Sequence, residues 1–198
     1  VWARQDGQWR GYVVYFLHPR PDAGSELRVR DFIALDGDAY LGLLHYLLQH
    51  DQAAEIVWEA PVDDPFLSVV DDPRRVRVQL ALGMMHRLVD VAQAIAGRPC
   101  LVDAPGESLV VEIADAFAPW NQGVWRLEAE GGRVEVKKAD RAPDLSLDVA
   151  ALAPLFSGLV SASEAARSGQ LTVHRGSALQ AADRIFAPSC APFTADWF

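Results

Sequence analysis

Between Gly123 and Glu130, Trp125, Leu127 and Ala129 alternate with Val124, Arg126, Glu128 and Glu130, the period of two expected of a strand with one buried face. Gly131-Gly132 tolerates positive φ, and Val134 and Val136 resume the alternation, so a tight hairpin is predicted. Leu145 and Leu147 mark a third strand. Asp148 is placed to cap a helix whose Leu152, Leu155 and Phe156 fall at helical spacing. Upstream, the pattern predicts a hairpin over residues 1–16, turning at Asp6-Gly7, with GYVVYF as its buried strand. Leu27, Val29, Asp31, Ile33 and Leu35 should form one face of the next strand, with Arg28, Arg30, Phe32 and Ala34 on the other. Asp36 or Asp38 then caps a helix with an apolar stripe at Tyr40, Leu43, Leu44, Leu47 and Leu48, and AEIVWEAP returns to strand.

Further along, Val76, Val78, Leu80 and Leu82 read as one strand and Met84 to Val89 as another, before Asp90 caps a helix ending at Gly97. Gly97, Pro99, Pro105 and Gly106 mark a boundary, and Leu109, Val111 and Ile113 open a second unit. Within it, Ser161 to Glu164 has capping-box spacing and Gly169 stops a short helix. A strand at 171–173 follows, and Gly176 or Ser177 opens a last helix carrying Leu179, Ala182, Ile185 and Phe186. Sheet followed by helix is an α+β signature. Val1 stands in strand-like sequence with no Met, cap or leader, which leads us to expect further chain before it.

Half of the 198 residues are apolar, enough for a folded core. A net charge of −9 argues against nucleic acid, whose phosphates demand a clustered basic face, and favours cationic partners. Cys100 and Cys190 have neither CxxC spacing nor a neighbouring histidine, so no metal is expected; a single bridge between them stays open. Without a run of about twenty apolar residues or a basic leader, the sequence supports neither a membrane span nor secretion, and the cytoplasm is the expected compartment.

Candidate chemistry is sparse. The Asp63–Pro65 and Asp71–Pro73 triplets read as helix starts, with Asp64 and Asp72 as caps and not as ligands. His86 with Asp90 lacks a nucleophile elbow, and the glycines make no phosphate-cradling turn. Phe193, Trp197 and Phe198 put aromatic surface at a terminus, which suggests a tucked end: either plain core packing, or burial that also desolvates the α-carboxylate of Phe198 and makes it a usable base.

GYVVYF, DDPF with DDPRRV, MMHRLVDV, NQGVWRL, PDLSLDVAAL and ALQAADRIF leading to a terminal Phe together resemble the enhanced intracellular survival (Eis) family of GNAT-type N-acetyltransferases. FSGLVS departs from that family's more glycine-rich turn near Gly158. The resemblance implies a second GNAT-like region with a mixed sheet over 1–98 and a sterol carrier protein-like α+β domain over 99–198, without the N-terminal GNAT domain. It further implies acetyl-CoA bound by that N-terminal domain, Phe198 as general base, cationic amine substrates such as aminoglycosides, and a hexamer. The alternative is a sterol carrier-like module that binds lipid, with Trp120, Trp125, Leu152 and Phe156 lining an apolar tunnel.

Overall fold

The structure, a computed structural model, describes residues 2–3, 7–21, 24–81, 83–101 and 107–195. The chain divides into two compact units that part between Leu67 and Ser68, and the second runs from Ser68 to Pro192. Each unit carries a sheet with one parallel pairing among antiparallel ones, so the fold is α+β with mixed sheets.

In the first unit the strands β1 (Trp2–Ala3), β2 (Trp9–Arg20), β3 (Gly24–Ala34) and β4 (Ala53–Trp58) lie in that order. Helix α1 (Gly37–Leu48) carries the chain from β3 to β4, which run parallel. Asp36, not Asp38, caps α1: its carboxylate accepts from Ala39 N–H at 2.9 Å. Gly7 has φ 75, as the expected turn requires, whereas Asp6 lies outside the described residues. Val13, Leu27, Val29, Leu43 and Leu47 form the buried core.

The strand β3 departs from the simple alternation. Val14 pairs with Asp31 but Tyr15 with Val29, leaving Arg30 as an extra residue in β3. One inserted residue reverses which side chains face the core. Leu27 and Val29 point inward before the bulge; Phe32 and Ala34 pack inward after it, and Ile33 and Leu35 are exposed.

The short helix α2 (Phe66–Val69) and a 3-10 turn (Pro73–Arg75) follow. Neither strand expected over 76–89 forms; the described residues there have no regular structure. The alternation is present, but a strand exists only through a partner's main chain, and these residues meet none.

The second unit stacks the helices α3 (Val91–Gly97), α4 (Val149–Ser157), α5 (Ala162–Arg167) and α6 (Ala178–Ile185) on a five-stranded sheet. Its order is β7-β6-β5-β8-β9, with β5 Glu107–Ala114, β6 Gly123–Glu130, β7 Arg133–Lys138, β8 Leu145–Asp148 and β9 Leu171–Val173. The hairpin β6–β7 turns at Gly131-Gly132, both at positive φ. Trp125, Leu127 and Ala129 are its buried face. Asp90 and Asp148 cap α3 and α4, and the Ser161–Glu164 capping box is complete. Ser177 does not cap α6; its hydroxyl instead accepts from Arg175. Cys100 is buried, Cys190 exposed, and both are free thiols.

Candidate functional site

Phe198 and Trp197 lie outside the described residues. Phe193, at the start of the aromatic tail, is about half exposed.

The two aspartates ahead of prolines act on backbone. Asp64 accepts from Phe66 N–H at 2.9 Å and from the Tyr40 hydroxyl at 2.5 Å, and burial together with that bond pushes the Tyr40 phenol upward. Tyr40 meets Phe32, Phe32 meets Trp58 at 4.7 Å between ring centres, and Trp58 meets Phe66, so Asp64 sits at the rim of a packed aromatic cluster. Asp72 accepts from both the backbone and the side chain of Arg74, and that guanidinium holds its carboxyl below the usual range. Replacing Asp64 with Ala should cost about 1 kcal/mol of stability. In urea titration Asp64→Ser should recover most of that loss, because a hydroxyl can also bind the turn's N–H.

His86 and Asp90 do not come together as a catalytic pair. His86 Nε2 bonds the Ala153 carbonyl at 2.9 Å, whereas Asp90 accepts from Gln93. What binds the chain around His86 to the second sheet is a group of residues that the sequence did not reveal. Asp115 accepts from Arg87 Nη2 at 2.6 and 2.7 Å, from Asn121 Nδ2 at 2.9 Å, and from the amides of Phe117 and Ala118. Asn121 in turn accepts from Val91 N–H, while Trp125 donates to the Asn121 carbonyl.

These donors, Asn121 first, hold the Asp115 carboxyl down to about 2. A carboxylate whose folded pKa is depressed stabilises the protein above its unfolded pKa and loses that contribution as the pH falls. The melting temperature should therefore drop as the pH is lowered from about 4 towards about 2, and Asp115→Asn should flatten that slope.

Two smaller polar groups are equally silent in the sequence. His50 Nδ1 donates to the Tyr46 carbonyl, so in the neutral ring Nε2 accepts from the Tyr15 hydroxyl at 2.8 Å, and Tyr46 donates to Tyr15. On the second sheet the Ser146 hydroxyl bonds Glu112 at 2.8 Å and His174 Nε2 at 2.7 Å. Its one proton goes to the carboxylate, so His174 donates to it, and the serine is not activated as a nucleophile. Glu112 and Ser146 border an open groove of about 390 Å³ that Gln122, Asp148, Gln170 and Thr172 also line.

Between the second sheet and its helices the apolar space closes to about 10 Å³. Roughly one water occupies such a volume, and a drug-sized ligand needs about 300 Å³ or more. Of the four residues expected to line a lipid tunnel only Leu152 borders this cavity; Trp125 is packed in the core and Trp120 is 60% exposed. Among the described residues no group of three or more His, Cys, Asp or Glu is arranged to hold a metal, and no helix is long and apolar enough to cross a membrane.

Comparison with known proteins places these two units. The family described as sterol carrier protein domain matches residues 91–195, and that described as acetyltransferase (GNAT) domain matches residues 1–88. Two uncharacterized N-acetyltransferases are similar to the chain, one from Streptomyces avermitilis at 30% identity and one from Streptomyces coelicolor at 32%, each over 98% of this chain and 47% of the relative. Among solved structures, Eis1 from Mycobacterium abscessus superposes with a TM-score of 0.76 at 30% identity, covering 95% of this chain and 48% of that one. The chain thus spans about half the length of the relatives it matches. It belongs to the sterol carrier protein domain family, and joins that domain to a region that matches the GNAT acetyltransferases.

Proposed function

We propose that this chain is part of an Eis-type N-acetyltransferase, which transfers an acetyl group from acetyl-CoA to an amine of a cationic substrate such as an aminoglycoside. The observation that carries this reading is the conjunction, in one chain, of the GNAT match over 1–88 with the sterol carrier match over 91–195. The likeness to Eis1 over 95% of the chain supports the type, and the closed apolar core of the second unit weighs against a lipid carrier. The net charge of −9 suits a cationic substrate by raising its local concentration.

The resemblance assigns the acyl donor to another domain, and the N-terminus of α1 is consistent with that. A helix N-terminus can hold a pyrophosphate, but at that of α1 Asp36 already occupies the Ala39 amide and Asp38 adds a second negative charge. In this reading the donor is bound by the N-terminal GNAT domain that the resemblance implies. This chain contributes walls for the amine and the α-carboxylate of Phe198, which accepts the proton that the attacking amine gives up. The complete enzyme works in the cytoplasm as a homo-oligomer, a hexamer by resemblance.

Two measurements test this. The complete enzyme, given acetyl-CoA and an aminoglycoside, should release one thiol for each amine acetylated. Calorimetry on this chain alone should find acetyl-CoA binding no tighter than about millimolar, about −4 kcal/mol. Saturable micromolar binding would place a donor site in this chain and overturn the division of labour.

A further inference from the structure

Four aromatic side chains of the first unit, Tyr40, Phe32, Trp58 and Phe66, meet in that order at 5.5, 4.7 and 6.0 Å between ring centres. The first and last contacts are edge-on, with planes at 73° and 83°, so the rings face different directions and do not close into one stack. Each of the four residues is half-buried, as is Asp64 at their rim.

Asp64 uses only one of its oxygens. The Phe66 amide and the Tyr40 hydroxyl both donate to Oδ1, and the raised Tyr40 phenol keeps its proton in that bond. Among the described residues nothing donates to Oδ2, and no lysine or arginine pairs with the carboxylate. Elsewhere the chain's own cations cover its rings: Arg87 lies over Phe117, Arg98 over Phe186 and Lys138 over Trp125. Among the described residues none lies over Tyr40, Phe32, Trp58 or Phe66.

A carboxylate with a free oxygen beside half-open rings suits one class of ligand. An ammonium group satisfies both, because the ring quadrupole attracts its charge and the free oxygen accepts its N–H. A purely apolar cover would leave that oxygen without a donor, and an anion would meet a like charge. From this we infer that Asp64 and the Phe32, Tyr40, Trp58 and Phe66 cluster bind the ammonium group of an organic cation. Asp64 is then both cap and ligand, since the two roles fall to different oxygens. The site stands on the cluster itself; that its occupant is the cationic substrate rests on the acetyltransferase reading.

The test begins with the 198-residue chain and butylammonium as the probe. The probe should shift the Trp58 indole N–H resonance saturably, with an affinity of about millimolar, and uncharged butanol should leave that resonance in place. Asp64→Asn keeps an oxygen for the Phe66 and Tyr40 bonds but removes the charge. It should weaken probe binding at least about tenfold with the melting temperature unchanged. In the complete enzyme the same substitution should raise KM for the cationic amine severalfold and leave KM for acetyl-CoA alone. No shift, an equal shift with butanol, or undiminished binding by Asp64→Asn would each overturn the site. Binding to this chain but not to the complete enzyme would give the place to a cation from the rest of the protein, and would overturn it too. An unmoved KM for the amine would overturn the substrate assignment. An enzyme that acetylates no amine would defeat the acetyltransferase reading, and the probe would still decide the site.

Discussion

Arg98→Met is expected to destabilise the protein by about 3 kcal/mol, since a charged donor contributes about 1.5–3 kcal/mol per bond and the carbonyls it leaves are part-buried. Among the described residues the Arg98 guanidinium meets no carboxylate. It donates instead to the carbonyls of Phe156 at 2.8 Å, Ile185 at 3.1 Å, Phe186 at 2.8 Å and Ala187 at 3.2 Å. These are the unsatisfied ends of α4 and α6, where the partial negative charge of a helix gathers. One cation thus joins two helix C-termini, and it also lies over the Phe186 ring, 5.9 Å from its centre. Burial pulls its pKa down, but a guanidinium stays charged throughout the ordinary pH range. Arg98→Lys should lose about half as much, because an ammonium cannot span four carbonyls with a planar fork. Urea unfolding of both variants checks this; a loss below about 1 kcal/mol in Arg98→Met would mean that water satisfies those carbonyls as well.

The features that could be read from the sequence are those settled within a few residues. Gly131-Gly132 between two alternating runs, Asp90 and Asp148 before helices, and the Ser161–Glu164 box all satisfy their own backbone locally, so the pattern and the structure coincide. The features that could not be read depend on partners far along the chain. Arg87 finds Asp115 28 positions away, and Arg98 finds Phe156 58 positions away and Phe186 88. No spacing rule announces such pairs. The bulge at Arg30 lies between these extremes: the alternation signalled a strand, but a single unpaired residue, visible only from the register with β2, reverses its later face. At 76–89 the alternation is that of a strand, yet the described residues have no regular structure, because a pattern of side chains supplies no main chain to pair with.

The most direct test of the proposed chemistry is the role of the chain end. A free α-carboxylate has a pKa of about 3.3–3.7, too low for effective proton abstraction near neutrality, so its usefulness as a base requires desolvation. A positioned general base contributes roughly a hundredfold to ten-thousandfold in rate. One glycine added after Phe198 in the complete enzyme keeps both Trp197 and Phe198 in the sequence but moves the carboxylate by a residue. Steady-state turnover with a saturating cationic amine should then fall at least about tenfold, with acetyl-CoA affinity unchanged, because the proposed division of labour gives the donor to the N-terminal domain. Undiminished turnover in the extended enzyme would contradict the assignment of Phe198 as the base.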